Sequence, residues 1–459
     1  MISGKKSDEA IAAHLRALNE RELVDEIGAT PFARAYKRAR NLVVLRVNEL
    51  YWTISRSLRN AQARLFPDYL ARKNKLPPWR TSDRPGVSTE GRPLSKPRLL
   101  LDMTSTLRSG KGSGIQRVVR EIARHAWEVG AGVPVAIHNG RLFSYYPHPD
   151  VPDVVEVADG DIFLMLDASW NHTEEYLPII EEVKARGGRT VVCLYDILPL
   201  LYPNAFMGDL SARFRIWLDC IVLKSDGVVA DSRAAAESLR DYLFANDLLV
   251  PRFPIGWWRL GADFMPMMTG KPSDQAERIA SDAKPYFLGV GTVEPRKGYP
   301  IVLEALERLW GEGFDFAYVI VGGHGWGMRH FEKRLLRHPE FGRRLFWLRR
   351  ASDADLALLY THARSLVLAS VAEGFGLPIV EAANYGAPVI ATDIPVFHEV
   401  AGDSARYFTL LDANDLTVQM RSALTEKPAA PVIARTSWRE SAQQLVAIVR
   451  DNGFQTRME

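Results

Sequence analysis

Cysteine is nearly absent from this chain, with only Cys193 and Cys220 among 459 residues. Each lies in an apolar stretch, so buried free thiols in a reducing compartment are expected and a disulfide-built scaffold is excluded. No run of about 18 apolar residues occurs, so nothing reads as a membrane-spanning helix. The ten histidines and two cysteines show no ligand spacing, and no metal site is expected. The first twenty residues, MISGKKSDEAIAAHLRALNE, are polar and helical in pattern and lack the apolar core of a signal peptide. A cytoplasmic location is the expectation. Net charge is only +3, and the excess of Arg and Lys sits in the N-terminal extension. The length fits two or three domains at roughly 150 residues each.

Residues 1–97 read as a basic helical extension closing in a linker. Val43, Val47, Leu50, Ile54, Leu58, Ala61 and Leu65 recur at three- and four-residue steps, an apolar stripe. Arg34, Lys37, Arg38, Arg40, Arg46, Arg56, Arg59 and Arg64 crowd the remainder, with Glu49 the only acid between them. With Tyr51 and Trp52, such a helix suits an anionic membrane surface. It equally suits packing on the body of the protein with a solvated basic face. Pro77, Pro78, Pro85, Gly86, Gly91 and Pro93 make 76–96 a linker.

From Arg98 onward apolar strand-like runs alternate with helical patterns. Strands are expected at 99–101, 133–138, 162–166, 190–194, 227–230 and 254–260, with helices at 115–129, 174–186, 210–224 and 233–244 between them. A hydrophilic linker is expected at 270–284. The series then restarts, with strands at 286–290, 317–321, 345–348 and 365–369 and helices at 300–310 and 353–363. Two such series predict an α/β protein of two Rossmann-like domains, 98–270 and 284–434, facing a cleft.

One stretch organises the second domain: EGFGLPIVE, residues 373–381. Gly374 and Gly376 let the backbone turn sharply, Pro378 suits the first helical turn, and Gly386 suits the position just past the helix. The spacing predicts strand, loop, helix, strand, with a helix N-terminus whose free N–H groups favour phosphate. Glu373 and Glu381 flank that spot, and a carboxylate accepts hydrogen bonds from vicinal hydroxyls. Read without context, the stretch is equally a helix start whose Glu interacts with the macrodipole. Arg296 and Lys297 follow the strand at 286–290, and strand C-terminal ends face the ligand crevice of an open α/β sheet. Tyr195 and Asp196 follow another buried strand, and Ser232 and Arg233 a third.

EGFGLPIVE resembles the two-glutamate signature of glycosyltransferase family 4, retaining enzymes of the GT-B fold that use nucleotide sugars. The resemblance continues through GAPVIATDIPVFHEVAGDSARYF (386–408) and FLGVGTVEPRKGYPIVLEAL (287–306), and covers most of the chain from about Pro97. It implies a hexose, with mannose the guess, moved from a nucleotide diphosphate sugar to a glycan or lipid-linked acceptor in cell-surface polysaccharide synthesis. GDP-mannose is the guessed co-substrate, with no other cofactor and no nucleic acid. The first domain is then the acceptor side, with helix 435–459 packing back on it, and the second binds the donor. Lys297 becomes the phosphate lysine. Relatives carry an Arg near Thr292, which this chain replaces, so Arg296 is expected to substitute. Glu373 is expected to hold sugar hydroxyls and Glu381 the ribose. Asp196 is expected at the reacting sugar, with Tyr195 where many members have His. Gly112, Gly114, Gly291, Thr292, Gly374, Phe375, Gly376 and Leu377 are expected around the donor. Asp102, Thr104, Gln116, Arg117 and Ser232 are expected on the acceptor side.

Asp159-Gly160-Asp161 has the DxD form that holds a metal-nucleotide in another glycosyltransferase fold, but it precedes a strand and reads as a turn. His324 reads as a loop His that touches donor or solvent. Three rivals remain: a retaining glycosidase, which also uses two carboxylates but needs neither twin Rossmann domains nor a phosphate lysine; a sugar phosphorylase, which shares the fold and needs inorganic phosphate; and a non-catalytic binding subunit, which has no use for Glu373, Glu381 and Lys297 together.

Overall fold

The computed structural model describes residues 96–109, 114–146, 151–206, 209–248, 250–261, 270–426, 429–430, 432–433 and 436–458. The basic stripe of the extension and Gly112 lie outside the described residues.

The first sheet is built from β1 (Leu99–Asp102), β2 (Val133–His138), β3 (Arg141–Ser144), β4 (Val154–Val155), β5 (Ile162–Met165), β6 (Arg189–Leu194), β7 (Val228–Ala230) and β8 (Pro254–Trp257). β1, β5 and β7 are buried at every position, as parallel strands covered by helices on both faces must be. The covering helices are Gly114–Glu128, Thr173–Ala185, Leu210–Cys220 and Arg233–Ala245. The second sheet comprises β9 (Tyr286–Val290), β10 (Ala317–Val321), β11 (Leu345–Leu348), β12 (Ser365–Leu368), β13 (Val389–Thr392) and β14 (Arg406–Phe408). It is parallel throughout, in the order β11-β10-β9-β12-β13-β14.

After the second sheet the chain returns to the first. Helix Trp438–Asp451 starts on a capping box between Ser437 and Glu440, which satisfies N–H groups the helix itself leaves free. It buries Leu445 and Val449 in one cluster with Val119 and Ile122 of helix Gly114–Glu128. Arg189 holds its end through the carbonyls of Val449 and Arg450, at 3.0 Å each. β15 (Thr456–Arg457) then pairs antiparallel with β8, completing the order β15-β8-β7-β6-β5-β1-β2-β3-β4. Two layered α/β units joined in this way are the GT-B architecture.

The segment 270–284 is more than a linker. Ser273 caps helix Asp274–Ser281, accepting from Ala276 N, and its own N–H donates to Asp355 at 2.6 Å. Ala276 and Ile279, three residues apart, are buried. Two buried apolar residues in eight make too faint a stripe to stand out among charges.

Candidate active site

The second sheet changes its direction of growth between β9 and β12, which pair in space although β10 and β11 intervene in the chain. Loops leaving the two sides of such a switch point diverge and open a crevice. From β9 the chain runs through Gly291 and Thr292 to a single 3-10 turn, Pro295–Lys297. Gly298 ends it at φ +65°, and a Cβ there would lie 2.0 Å from the Ala369 carbonyl oxygen. Only glycine lets the turn lie against the end of β12. Val371 N donates to Arg296 O at 2.8 Å and ties the two loops together.

Glu373 is the hub of this crevice. Arg296 Nη1 meets its Oε2 at 2.5 Å, Lys297 Nζ donates to Oε1, and Ser370 Oγ donates to Oε1 at 2.7 Å. Arg296 Nε also pairs with Glu294 at 2.8 Å. Burial pushes the Glu373 carboxyl up, but Arg296 and Lys297 outweigh it and hold the pKa at about 2. Burial works against the Arg296 charge in the same way, and Glu373, Glu294 and Asp196 more than offset it, so its pKa lies above the ordinary value. The second carboxylate, Glu381, stands inside helix Leu377–Asn384, whose N-cap is Gly376. Tyr360 Oη donates to it at 2.7 Å and Arg117 Nη1 at 3.1 Å. Burial raises its pKa, opposed by Arg117.

The first domain closes the crevice from the other side. A Cβ on Gly374 would lie 2.0 Å from Tyr195 O and 3.4 Å from Asp196 Cβ, so the Glu373 loop rests directly on the end of β6. Burial pushes the Asp196 carboxyl above the ordinary range, opposed by Arg296, and one of its oxygens accepts from Leu198 N at 3.0 Å. Ser232 caps helix Arg233–Ala245, accepting from Ala235 N at 3.0 Å, and donates to Gly374 O at 2.7 Å. Glu399 accepts from the first N–H groups of that helix, Arg233 N at 2.7 Å and Ala234 N at 2.8 Å. At the edge, Trp326 donates to Ala205 O and stacks on Phe206 with ring centroids 5.7 Å apart.

The structure therefore brings Asp196, Ser232, Arg296, Lys297, Glu373 and Gly374 together, with Arg117 and Glu381 paired across the same interface. Gly114 lies against Leu377, where a Cβ would approach Leu377 Cδ1 to 3.3 Å. Gly291 borders Lys297, a Cβ there falling 3.2 Å from its Cε; Thr292 is half-buried beside it and Phe375 is buried in the core. Asp102 and Thr104 are placed differently. Both are fully buried, Asp102 accepting from Thr104 N at 3.1 Å and Tyr176 Oη at 2.8 Å. They brace helix Thr104–Ser109 from beneath instead of facing the cleft, and burial together with the nearby Asp167 lifts Asp102 to about 7. Gln116, also buried, donates to Ser109 Oγ.

His324 is exposed, 3.0 Å from Glu332 and edge-on to Trp347. Asp161 forms an ion pair with Arg98 at 2.6 Å beyond a turn at Gly160, so the DxD sequence is structural. Ser370, Glu294 and Glu399 escaped the sequence reading. Ser370 and Glu294 sit three residues from Glu373 and Lys297, and that proximity was the available signal. Among the described residues no group of three His, Cys, Asp or Glu is arranged to hold a metal ion. Among them, too, no helix is long and apolar enough to cross a membrane.

Residues 271–444 match the family described as glycosyl transferases group 1. The chain is 34% identical over 373 residues to the serotype-specific mannosyltransferase WbdA of Escherichia coli, covering 76% of this chain and 46% of that protein. It is 26% identical over 216 residues to the O-antigen chain mannosyltransferase RfbU of Salmonella typhimurium, covering 47% and 55%. The chain thus spans about half the length of the curated relatives it matches. Among solved structures, trehalose-6-phosphate synthase OtsA superposes with a TM-score of 0.53 at 12% identity, over 78% of this chain and 96% of that one. Sucrose-phosphate synthase of Thermosynechococcus elongatus gives 0.50 at 18% identity, over 78% and 97%. Both are likenesses of fold.

Proposed function

Residues 271–444 belong to the group 1 glycosyl transferases, and from that premise we propose that this chain moves a hexose, mannose by analogy with the named relatives, from a nucleotide diphosphate sugar to a glycan or lipid-linked acceptor. The observation that carries the reading is the Arg296–Glu373–Lys297 cluster at the switch point, facing Asp196 across the cleft. Two cations held by one carboxylate can turn toward a diphosphate as its charge develops, and in a water-poor cleft such stabilisation is worth several kcal/mol. The N-terminus of helix Leu377–Asn384 adds its dipole to the same spot.

In this reading the reaction proceeds with retention. The acceptor hydroxyl attacks the anomeric carbon on the face the nucleotide leaves, the glycosidic bond to phosphate breaks, and the departing phosphate takes the proton. Lys297 and Arg296 bear the leaving charge, Glu373 holds sugar hydroxyls, Glu381 holds the ribose, and Asp196 positions sugar or acceptor. GDP-mannose is the proposed donor, polysaccharide synthesis the setting, and the cytoplasm the compartment, with residues 31–75 approaching an anionic membrane.

A thermal-shift panel of nucleotide sugars, followed by assay of nucleoside diphosphate release with and without a mannosyl acceptor, tests the proposal. Stabilisation by one donor and acceptor-dependent release are expected, with NMR of the product showing the donor's anomeric configuration. Turnover that requires inorganic phosphate and no nucleotide would replace the reading with a phosphorylase.

A further inference from the structure

Among the described residues, two buried polar atoms beside the first-domain face of the cleft have no partner. Asp231 follows β7 and Trp258 follows β8, and the parallel register sets Ala230 beside Trp257. Asp231 and Trp258 therefore stand side by side one residue further on. They are 4% and 1% exposed. Among the described residues Asp231 Oδ1 finds no donor and Trp258 Nε1 no acceptor, so the two do not bond each other. Leaving one acceptor and one donor bare in the interior is costly, and native proteins rarely do so without something to satisfy them. The Tyr195 ring stands edge-on to Trp258, with centroids 6.5 Å apart at 72°. Asp231 lies within electrostatic reach of Asp196, Glu399 and Glu373, and its neighbour Ser232 makes the contact to Gly374 O. The pair thus sits behind the point where the two domains meet, Asp231 one strand end and Trp258 two strand ends along from Asp196.

An alcohol has the chemistry for both atoms, donating to a carboxyl oxygen and accepting from an indole N–H. We propose that Asp231 and Trp258 form a hydroxyl-recognition subsite for the acceptor sugar, distinct from the Arg296–Glu373–Lys297 cluster. The inference rests on the transferase reading given above, in which the first domain holds the acceptor. Burial and the neighbouring carboxylates push Asp231 well above the ordinary carboxylate range. In its neutral form it keeps a carbonyl oxygen to accept and suits a sugar better than a cation.

The test uses the full chain, the methyl hexoside that serves best as acceptor, and the monodeoxy analogues of that hexoside. In wild type, one deoxy analogue should lose about 10- to 100-fold in kcat/KM, the range expected for a buried hydrogen bond to a polar or charged partner. Asp231→Ala and Trp258→Phe should lower kcat/KM for the parent acceptor to a similar level and make that same deoxy position silent, with donor KM unchanged. Asp231→Asn, which keeps an amide oxygen in place, should retain most of the activity and confirms the fold by its melting curve. If every deoxy analogue loses as much in the variants as in wild type, the two atoms hold only a water and the subsite is overturned. A wild-type chain that transfers to no acceptor from any nucleotide sugar is a different result, and overturns the transferase reading and the subsite with it.

Discussion

Glu373→Gln keeps the shape of the hub and removes its charge. The folded carboxyl sits at about 2 against an ordinary 4.5, a difference worth about 3 kcal/mol at about 1.4 kcal/mol per pH unit. Because the folded pKa is depressed, this contribution is fully present above pH 4.5 and is lost as pH falls toward 2. The glutamine variant lacks it at every pH, and it leaves Arg296 and Lys297, mostly buried, without their shared counter-charge. Removing one partner of a buried ion pair costs about 3–5 kcal/mol. The variant should therefore be less stable by about 3 kcal/mol or somewhat more at neutral pH. Urea midpoints of both proteins at pH 7, 5.5, 4 and 3 measure the gap. It should hold constant between pH 7 and 5.5 and narrow below pH 4.5. A gap that is equal at pH 7 and pH 3, or missing at pH 7, would refute the account of Glu373 as a carboxylate held ionised by two cations.

Lys297→Ala should lower kcat by about 100- to 1,000-fold, the range for losing one preorganised charge-stabilising group, while circular dichroism stays unchanged; wild-type turnover would end its assignment to the diphosphate. Glu381→Ala should raise donor KM more than it lowers kcat, since ribose contacts are alike in ground and transition states. Glu373→Ala should do the reverse, and steady-state kinetics in the opposite pattern would exchange the two roles. A chain starting at Lys96 should keep activity on a soluble acceptor analogue and lose binding to anionic liposomes, where each basic side chain contributes about 1 kcal/mol. Full-length protein that ignores such liposomes at low salt would show that residues 31–75 serve the body of the protein instead.

The strands were legible because a parallel strand covered on both faces must be a largely apolar run, and the three leucines of β1, IFLM and YFLGV are such runs. Arg296, Lys297 and Glu373 were legible one at a time, as charged residues at strand ends. Their mutual bonding was not, since 76 residues separate Lys297 from Glu373 and only the pairing of β9 with β12 joins them. Asp102 shows the limit from the other side. As a strand-end aspartate it looks like Asp196, and the distinction lies in Thr104 two residues on and Tyr176 74 residues away. Glu399 could not be read at all. Its chemistry depends on which helix N-terminus the opposite domain presents to it.

On the ribosome the first sheet must wait for residues that emerge after the second. Gln455, next to β15, is bonded to Trp257 in β8 across 198 residues of chain, and at about 5–20 residues per second that interval lasts about 10–40 s. Throughout it, β8 offers an unpaired edge, the kind of template on which other chains add strands. Helix Gly114–Glu128 meanwhile lacks the cover that Leu445 and Val449 later supply. A nascent chain halted near residue 430 would thus carry a complete second sheet beside a first sheet still open along one side.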